Sequence, residues 1–78
     1  MQYTILEKQT DPNGYTYIIL QFNSSEEAKK ALDALYIVLY TSDMEVNALY
    51  GVGKYITYFV YHPDVSRRFL EALDKLEP

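Results

Sequence analysis

The stretch that decides the fold is Lys-Tyr-Ile-Thr-Tyr-Phe-Val-Tyr-His, residues 54–62. Tyr, Ile, Phe, Val and Thr favour extended backbone, so this run predicts a β-strand. Alternation along a strand puts successive side chains on opposite faces. One face carries Tyr55, Thr57, Phe59 and Tyr61, and the other carries Ile56, Tyr58 and Val60. Both faces are apolar or aromatic, which predicts a central position in the sheet.

The segments on either side complete the second half of the chain. Residues 45–50 read as a short third strand, and Gly51-Val52-Gly53 predicts a turn or a bulge before residue 54. After His62, Pro63 and Asp64 begin a last helix, with Asp64 as a candidate N-cap. Its apolar stripe is Val65, Phe69, Ala72, Leu73 and Leu76.

The first half begins with a hairpin. Residues 2–9 form a plausible edge strand, and the tetrapeptide Asp11-Pro12-Asn13-Gly14 is a strong turn signal, since Pro suits the second turn position and Asn-Gly suits positive φ. Residues 15–23 then predict a second strand. Its core face carries Ile18, Leu20 and Phe22, and its half-exposed face carries Tyr15, Tyr17, Ile19 and Gln21.

A helix follows the second strand. Ser24 with Glu27 three residues later predicts a capping box, and apolar residues then recur at helical spacing. From residue 34 to residue 40 the segment is apolar all round. Residues 36–41 could instead form a strand, but no Gly, Asn or Pro interrupts the run, so we expect the helix to continue to a break at residues 41–43.

The element order is therefore ββαββα within a single domain spanning residues 1–78. This order predicts an α+β fold in two layers, a four-stranded, mostly antiparallel sheet with two helices packed on one face. The opposite face of the sheet is then uncovered.

Composition narrows the classes of partner. The chain has eleven acidic and seven basic residues, a net charge of −4, and no cysteine. Phosphate binding usually requires a basic stripe, so nucleic acid is disfavoured, whereas a basic protein surface is an easier partner. No signal peptide is visible, and the longest apolar run is too short to span a bilayer. We therefore expect a cytoplasmic protein with no membrane contact.

Nine tyrosines in 78 residues are the main functional signal. Tyrosine is favoured at recognition surfaces because it combines a large apolar ring with a hydroxyl group. We predict that Tyr15, Tyr17, Tyr55 and Tyr61 bind a partner on the uncovered sheet face, either another protein or a second copy in a homodimer. With a different strand register, Tyr15 and Tyr17 would align with Tyr58 instead. The alternative to a binding face is that cross-strand tyrosine pairs only stabilise the sheet.

The apolar helix segment at residues 36–40 is a second candidate contact surface. Burial in the core is the simpler expectation for it. Should Ile37 and Tyr40 be uncovered, they would need a partner. Tyr36 and Tyr40 are four residues apart, so their rings can stack along one face of the helix. An acidic patch is a further alternative, built from Asp33, Asp43, Glu45 and Asp64.

Several chemistries are disfavoured. Gly51-Val52-Gly53-Lys54 lacks both the earlier Gly and the following Ser or Thr of a phosphate-binding loop. His62 is the only histidine, and although Asp64 could orient it as a base, no recognisable nucleophile motif accompanies it. A single histidine without cysteine does not suit a zinc site. We therefore predict no enzymatic activity, no cofactor and no metal.

The preferred hypothesis is a non-enzymatic interaction module, similar in size and acidity to inhibitors or adaptors, including phage-type inhibitors of basic nucleic-acid-binding enzymes. One alternative is a de novo designed or engineered scaffold without activity, suggested by the idealised turn at residues 11–14 and the helix cap. Others are binding of single-stranded nucleic acid on the aromatic sheet face and binding of a small molecule in a tyrosine-lined pocket between the layers.

Overall fold

The computed structural model describes residues 1–41, 46–60 and 63–76. It contains six elements in the order ββαββα. The first hairpin and helix are β1 (Tyr3–Thr10), β2 (Thr16–Phe22) and α1 (Ser25–Thr41). The second set is β3 (Val46–Val52), β4 (Tyr55–Val60) and α2 (Pro63–Lys75).

The four strands form one antiparallel sheet in the order β1-β2-β4-β3. The predicted α+β fold is therefore confirmed, with β4 central and β1 at an edge. Because β2 pairs with β4, the two ββα halves meet through their inner strands. β1 and β3 are left as the two outer strands.

One side of the sheet carries the core. Alternate residues of β2 and β4 point to this side and are fully buried, as are the apolar positions of both helices. The buried cluster joins Ile18, Leu20, Phe22, Ala28, Ala31, Leu35, Leu49, Ile56, Tyr58, Val60, Val65, Phe69 and Leu73. Both helices thus pack on the same face, which leaves the other face of the sheet without a covering layer among the described residues.

The β1–β2 turn is held by the side chain of Asp11. Its carboxylate accepts hydrogen bonds from the backbone N–H groups of Asn13 (2.9 Å) and Tyr15 (3.0 Å). The N–H group of Gly14 donates to the Asp11 carbonyl oxygen, and Gly14 has a φ of 93°. The turn is where the sequence predicted it, although Gly14 alone takes the positive φ that was expected of the Asn-Gly pair.

The β3–β4 connection is shorter than predicted. Gly51 and Val52 belong to β3, and Val52 pairs with Tyr55, so the turn consists of Gly53 and Lys54. Gly53 has a φ of 59°, which suits a glycine in the first position of a two-residue hairpin turn. Gly51 has another role, because a Cβ atom there would lie 3.1 Å from Cδ2 of Leu32, so the Leu32 side chain of α1 would have to move by a few tenths of an ångström.

α1 runs as one helix to Thr41, as predicted. The N–H group of Glu27 donates to the Ser24 hydroxyl oxygen at 3.2 Å, which forms one half of the expected capping box. At the other end, the Thr41 hydroxyl donates to the Ile37 carbonyl oxygen at 2.8 Å. α2 begins at Pro63, where the sequence predicted its start, but Asp64 lies inside its first turn and is not the N-cap.

A hydroxyl pair lies inside the core between β4 and α2. The Tyr58 hydroxyl is 2.7 Å from the Ser66 hydroxyl, and the Tyr58 ring meets the Phe69 ring edge to face at a centroid distance of 5.0 Å. Burial raises the pKa of Tyr58 to about 12, an effect that the Ser66 hydrogen bond partly offsets. Tyr58 is thus a core residue, on the side of the sheet opposite to Tyr15 and Tyr17.

Neither α1 nor α2 is long and apolar enough to cross a membrane.

Candidate interaction surface

The uncovered side of the sheet, hereafter the open face, is built from the side chains that alternate with the core positions. In β2 and β4 these side chains are half-buried or exposed, whereas their sequence neighbours are buried. The pairing of β3 with β4 brings Ala48, Tyr50 and Val52 to the same side. The open face therefore carries Tyr15, Tyr17, Ile19, Gln21, Ala48, Tyr50, Val52, Tyr55, Thr57 and Phe59. At its border β1 adds Thr4, Glu7 and Gln9, which pair with Gln21, Ile19 and Tyr17.

The open face has no charged residue across three adjacent strands. The sequences of β2, β3 and β4 contain no Asp, Glu, Lys or Arg. Charged side chains in the sheet are restricted to β1, where Glu7 lies opposite Ile19 and Lys8 lies opposite Ile18. Such an uncharged and partly aromatic surface is typical of the centre of a protein contact.

Tyr15 and Tyr17 are brought together on the open face, next to Phe59. The ring of Tyr15 stacks on the ring of Phe59 with a centroid distance of 4.8 Å and an interplanar angle of 19°. Tyr17 pairs directly with Phe59 across the two central strands. Both tyrosines are half-buried by these contacts. Part of the ring area of these two tyrosines is therefore already used in contacts within the sheet. This is the stabilising role that the sequence analysis gave as the alternative to partner binding.

Tyr55 shares the open face but lies at its other end. It pairs with Gln21, four residues from Tyr17, which corresponds to about 13 Å along the strand. Its side chain is 40% exposed, and the Lys54 ammonium nitrogen lies 5.8 Å from the centre of its ring. The fourth predicted residue, Tyr61, lies outside the described residues.

The structure adds open-face residues that the sequence analysis did not select. Phe59 stands between Tyr15 and Tyr17, and Tyr50 and Val52 on β3 are more exposed than Tyr55, at 57% and 75%. Tyr50 follows the core residue Leu49 along β3, so the alternation of side chains could have assigned Tyr50 to the open face. Val52 was assigned to a turn, so its side chain could not be assigned to a face.

The helix segment at residues 36–40 is only partly buried: Tyr36, Val38 and Leu39 pack against the core, as expected, whereas Ile37 and Tyr40 do not. Tyr40 is 80% exposed and Ile37 is also exposed, because both lie on the part of α1 that faces away from the core. The rings of Tyr36 and Tyr40 stack at a centroid distance of 6.1 Å. The Tyr36 hydroxyl donates to the Leu49 carbonyl oxygen at 3.2 Å, which joins this flank of the helix to β3.

Other predicted groups fall in different places. Asp43, Glu45 and His62 lie outside the described residues. Asp33 is exposed on α1, and the carboxylate of Asp64 lies 3.5 Å from Arg67. Within residues 1–41, 46–60 and 63–76, no three His, Asp or Glu side chains are close enough to hold a metal ion together.

A groove of about 290 Å³ lies between β1 and α2, on the helix-covered side. It differs from the predicted tyrosine-lined pocket because no tyrosine lines it. The lining residues are Lys8, Thr10, Thr16, Ser66, Arg67, Leu70, Glu71 and Asp74.

No protein-family model, curated protein or solved structure matches this chain.

Proposed function

We propose that the protein is a non-enzymatic interaction module that docks on a partner protein through the open face. The observation that carries this proposal is the uncharged, partly aromatic surface that β2, β3 and β4 leave uncovered. An apolar surface of this kind gains free energy when a partner removes it from water. The exposed parts of Tyr17, Tyr55 and Tyr50 supply apolar area together with hydroxyl groups that can orient the partner.

Charge favours a basic partner. The chain has a net charge of −4, so its long-range field attracts positive surfaces and repels phosphate backbones. Within the described residues, the acidic side chains lie on β1, in the β1–β2 turn and on the helices rather than on the inner strands. A partner would therefore be steered by charge and held by apolar contact. This division of roles suits an inhibitor or adaptor of a basic protein.

The first test is a substitution at the centre of the open face. Tyr17→Lys places a charge where a docked partner would exclude water, and we expect it to weaken binding at least about tenfold. Ile37→Lys is the control, because Ile37 is an exposed apolar residue of α1, on the helix side of the sheet and away from the open face. The readout is capture from lysate, identification of the captured protein, and titration of that purified protein against all three forms of the chain.

Two results would contradict the proposal. One is equal affinity of the purified partner for the wild type and for Tyr17→Lys. The other is a partner released by substitutions on the helices but not by any on the open face. Circular dichroism of each variant confirms that the fold is retained before affinities are compared.

A further inference from the structure

The helices do not cover the edge of the sheet at β1. Ile5 of β1 pairs with Leu20 of β2, and both point to the helix side, yet Leu20 is fully buried whereas Ile5 is 41% exposed. The helical layer therefore ends between these two strands and leaves the groove of about 290 Å³ between β1 and α2. This volume is close to the lower limit of about 300 Å³ for sites that hold small molecules.

The floor of this groove carries buried hydroxyl groups. Apart from tyrosine, the buried polar side chains of the described residues are Thr16 and Ser66, and both line the groove. The Thr10 hydroxyl is the printed partner of Thr16, but it lies 3.5 Å away, farther than the roughly 2.5–3.0 Å of a good O–H···O hydrogen bond. A ligand oxygen that bonded to both threonines at shorter distances would improve on this contact. The floor therefore favours a polar ligand.

The α2 wall has a positive end and a negative end. Arg67 lies near the start of α2, beside Ser66 and the floor hydroxyls, whereas Asp74 lies in the last turn. The helix dipole acts in the same sense, since the start of a helix favours anions and its end favours cations. Asp74 already accepts a hydrogen bond from the Tyr3 hydroxyl at 3.1 Å, but a carboxylate has room for further donors.

The positive end has two cations that a ligand can reach. Lys8 lies on the β1 wall, in the cross-strand row that includes Tyr58, whose hydroxyl lies against Ser66. Arg67 forms two ion pairs on its own helix, at 3.5 Å and 3.8 Å, and all the side chains involved are more than half exposed. Exposed pairs of this kind are weak. A ligand carboxylate that also bonds to the floor hydroxyls can therefore compete with them.

We propose that this groove binds a short zwitterionic peptide, with its carboxylate at Arg67 and its ammonium group at Asp74. The charged residues that line the groove are two basic and two acidic ones, Lys8, Arg67, Glu71 and Asp74. A ligand with one charge of each sign leaves this balance intact. An anion without a positive group would meet the carboxylates, and a cation without a negative group would meet Lys8 and Arg67.

The separation of the two ends sets the length of the peptide. Arg67 and Asp74 are seven residues apart on α2, which corresponds to about 10 Å along the helix axis. The two charges of a single amino acid are only a few ångströms apart and cannot reach both ends. Three extended residues at about 3.3 Å each span the distance. Leu70 lies between the ends and offers apolar contact to a small middle side chain.

The probe for this proposal is trialanine with free ends, compared with N-acetylated and with C-amidated trialanine. We expect calorimetry to give a dissociation constant of about 0.1–1 mM for the free peptide, as suits a ligand of this size in an open groove. Each blocked form loses one charge and should bind at least about tenfold more weakly. Changes in backbone amide chemical shifts should concentrate at Thr10, Thr16, Ser66 and Leu70.

Charge variants test each end separately. Arg67→Gln and Asp74→Asn should each weaken the binding of free trialanine at least about tenfold. Arg67→Gln should also stop distinguishing the free peptide from the C-amidated form, and Asp74→Asn should stop distinguishing it from the N-acetylated form. A merely structural role for these side chains would not produce this exchange of preferences. Lys75→Gln is the control, because Lys75 lies on α2 outside the groove, and it should bind like the wild type.

Three results would overturn the proposal. One is the absence of chemical shift changes at about 10 mM trialanine, well above the expected dissociation constant. Another is equal affinity for the free and the doubly unmatched, blocked peptides. The third is a loss of binding on C-amidation but not on N-acetylation, which would make the groove a simple anion site. The groove and the open face lie on opposite sides of the sheet, so the proposal stands or fails separately from the proposed function.

Discussion

At the scale of single residues, the tyrosines of this sheet occupy two environments, because successive side chains of a strand point to opposite faces. Tyr58 is fully buried on the core side, where it bonds to Ser66, while Tyr17, one strand away, is half-buried on the open face. A tyrosine can occupy both environments because its ring is apolar and its hydroxyl needs only one partner. The same residue type therefore stabilises the core at one position and offers a contact at another.

The buried hydroxyl of Tyr58 makes stability depend on alkaline pH. Its pKa is raised to about 12 in the folded protein, mainly by burial, whereas an unfolded tyrosine titrates near 10. Between these values the unfolded chain releases a proton that the folded chain retains, so the free energy of unfolding falls as pH rises from about 10 to about 12. Tyr58→Phe should remove this contribution to the slope.

At neutral pH the same variant should be less stable by about 1 kcal/mol, because the Ser66 hydroxyl loses its partner. Urea unfolding at pH 7, 9, 10.5 and 11 measures both effects. Tyr50→Phe on the exposed outer strand is the control and should follow the wild type. If the free energy of unfolding fell with pH equally in the wild type and in Tyr58→Phe, the buried hydroxyl would not be the cause of the lower stability at alkaline pH.

At the scale of elements, the local signals in the sequence predicted the helices and turns well. The Ser24 cap, the Asp11 turn and the alternation in β2 and β4 depend on neighbours within a few residues, and the structure confirms all of them. Gly51 was assigned to a turn because glycine is common there, yet it lies in β3 beneath Leu32. That contact comes from a helix distant in sequence, and no local pattern reports it.

The helix cap gives a prediction at this scale. Ser24→Ala removes the acceptor of the Glu27 N–H group and leaves that donor to water at the start of α1. We expect a loss of about 1 kcal/mol in the free energy of unfolding, measured by urea titration. Ser25→Ala is the control, because Ser25 is the first residue of α1 and does not cap it. Equal losses in the two variants would show that the cap contributes nothing specific.

The candidate surface was harder to predict than the fold, since it depends on which residues face each other across strands. The sequence placed Tyr15, Tyr17 and Tyr55 on one face correctly but could not tell that Gln21, rather than another tyrosine, faces Tyr55. A shift of one residue would have moved each side chain to the other face. The exposure of Tyr40 likewise depends on how α1 lies over the sheet, which packing alone decides.

At the scale of the whole molecule, the two ββα halves depend on each other. Ile18 and Leu20 from the first half are buried in one cluster with Ile56, Val65 and Phe69 from the second. Separation would expose this shared core and leave β2 without its pairing to β4. Small domains have little stability to spare, so neither half should fold alone.

The prediction is that a peptide of residues 1–43 lacks a cooperative unfolding transition and that a stoichiometric mixture with residues 44–78 regains one. Circular dichroism during heating measures both. Each peptide alone serves as the control for the mixture. A sharp transition in the first peptide by itself would show that the halves are independent units.

The absence of charge from β2, β3 and β4 has a consequence for the protein at any boundary of water. One broad side of the molecule carries the charged outer surfaces of α1 and α2, and the other carries three uncharged strands. The molecule is therefore amphipathic, with one charged side and one largely uncharged side. At an air–water boundary we expect it to turn its sheet toward the air, because that orientation removes apolar area from water while the charged groups of the helices stay solvated. We therefore expect foaming and loss of protein to bubbles during handling.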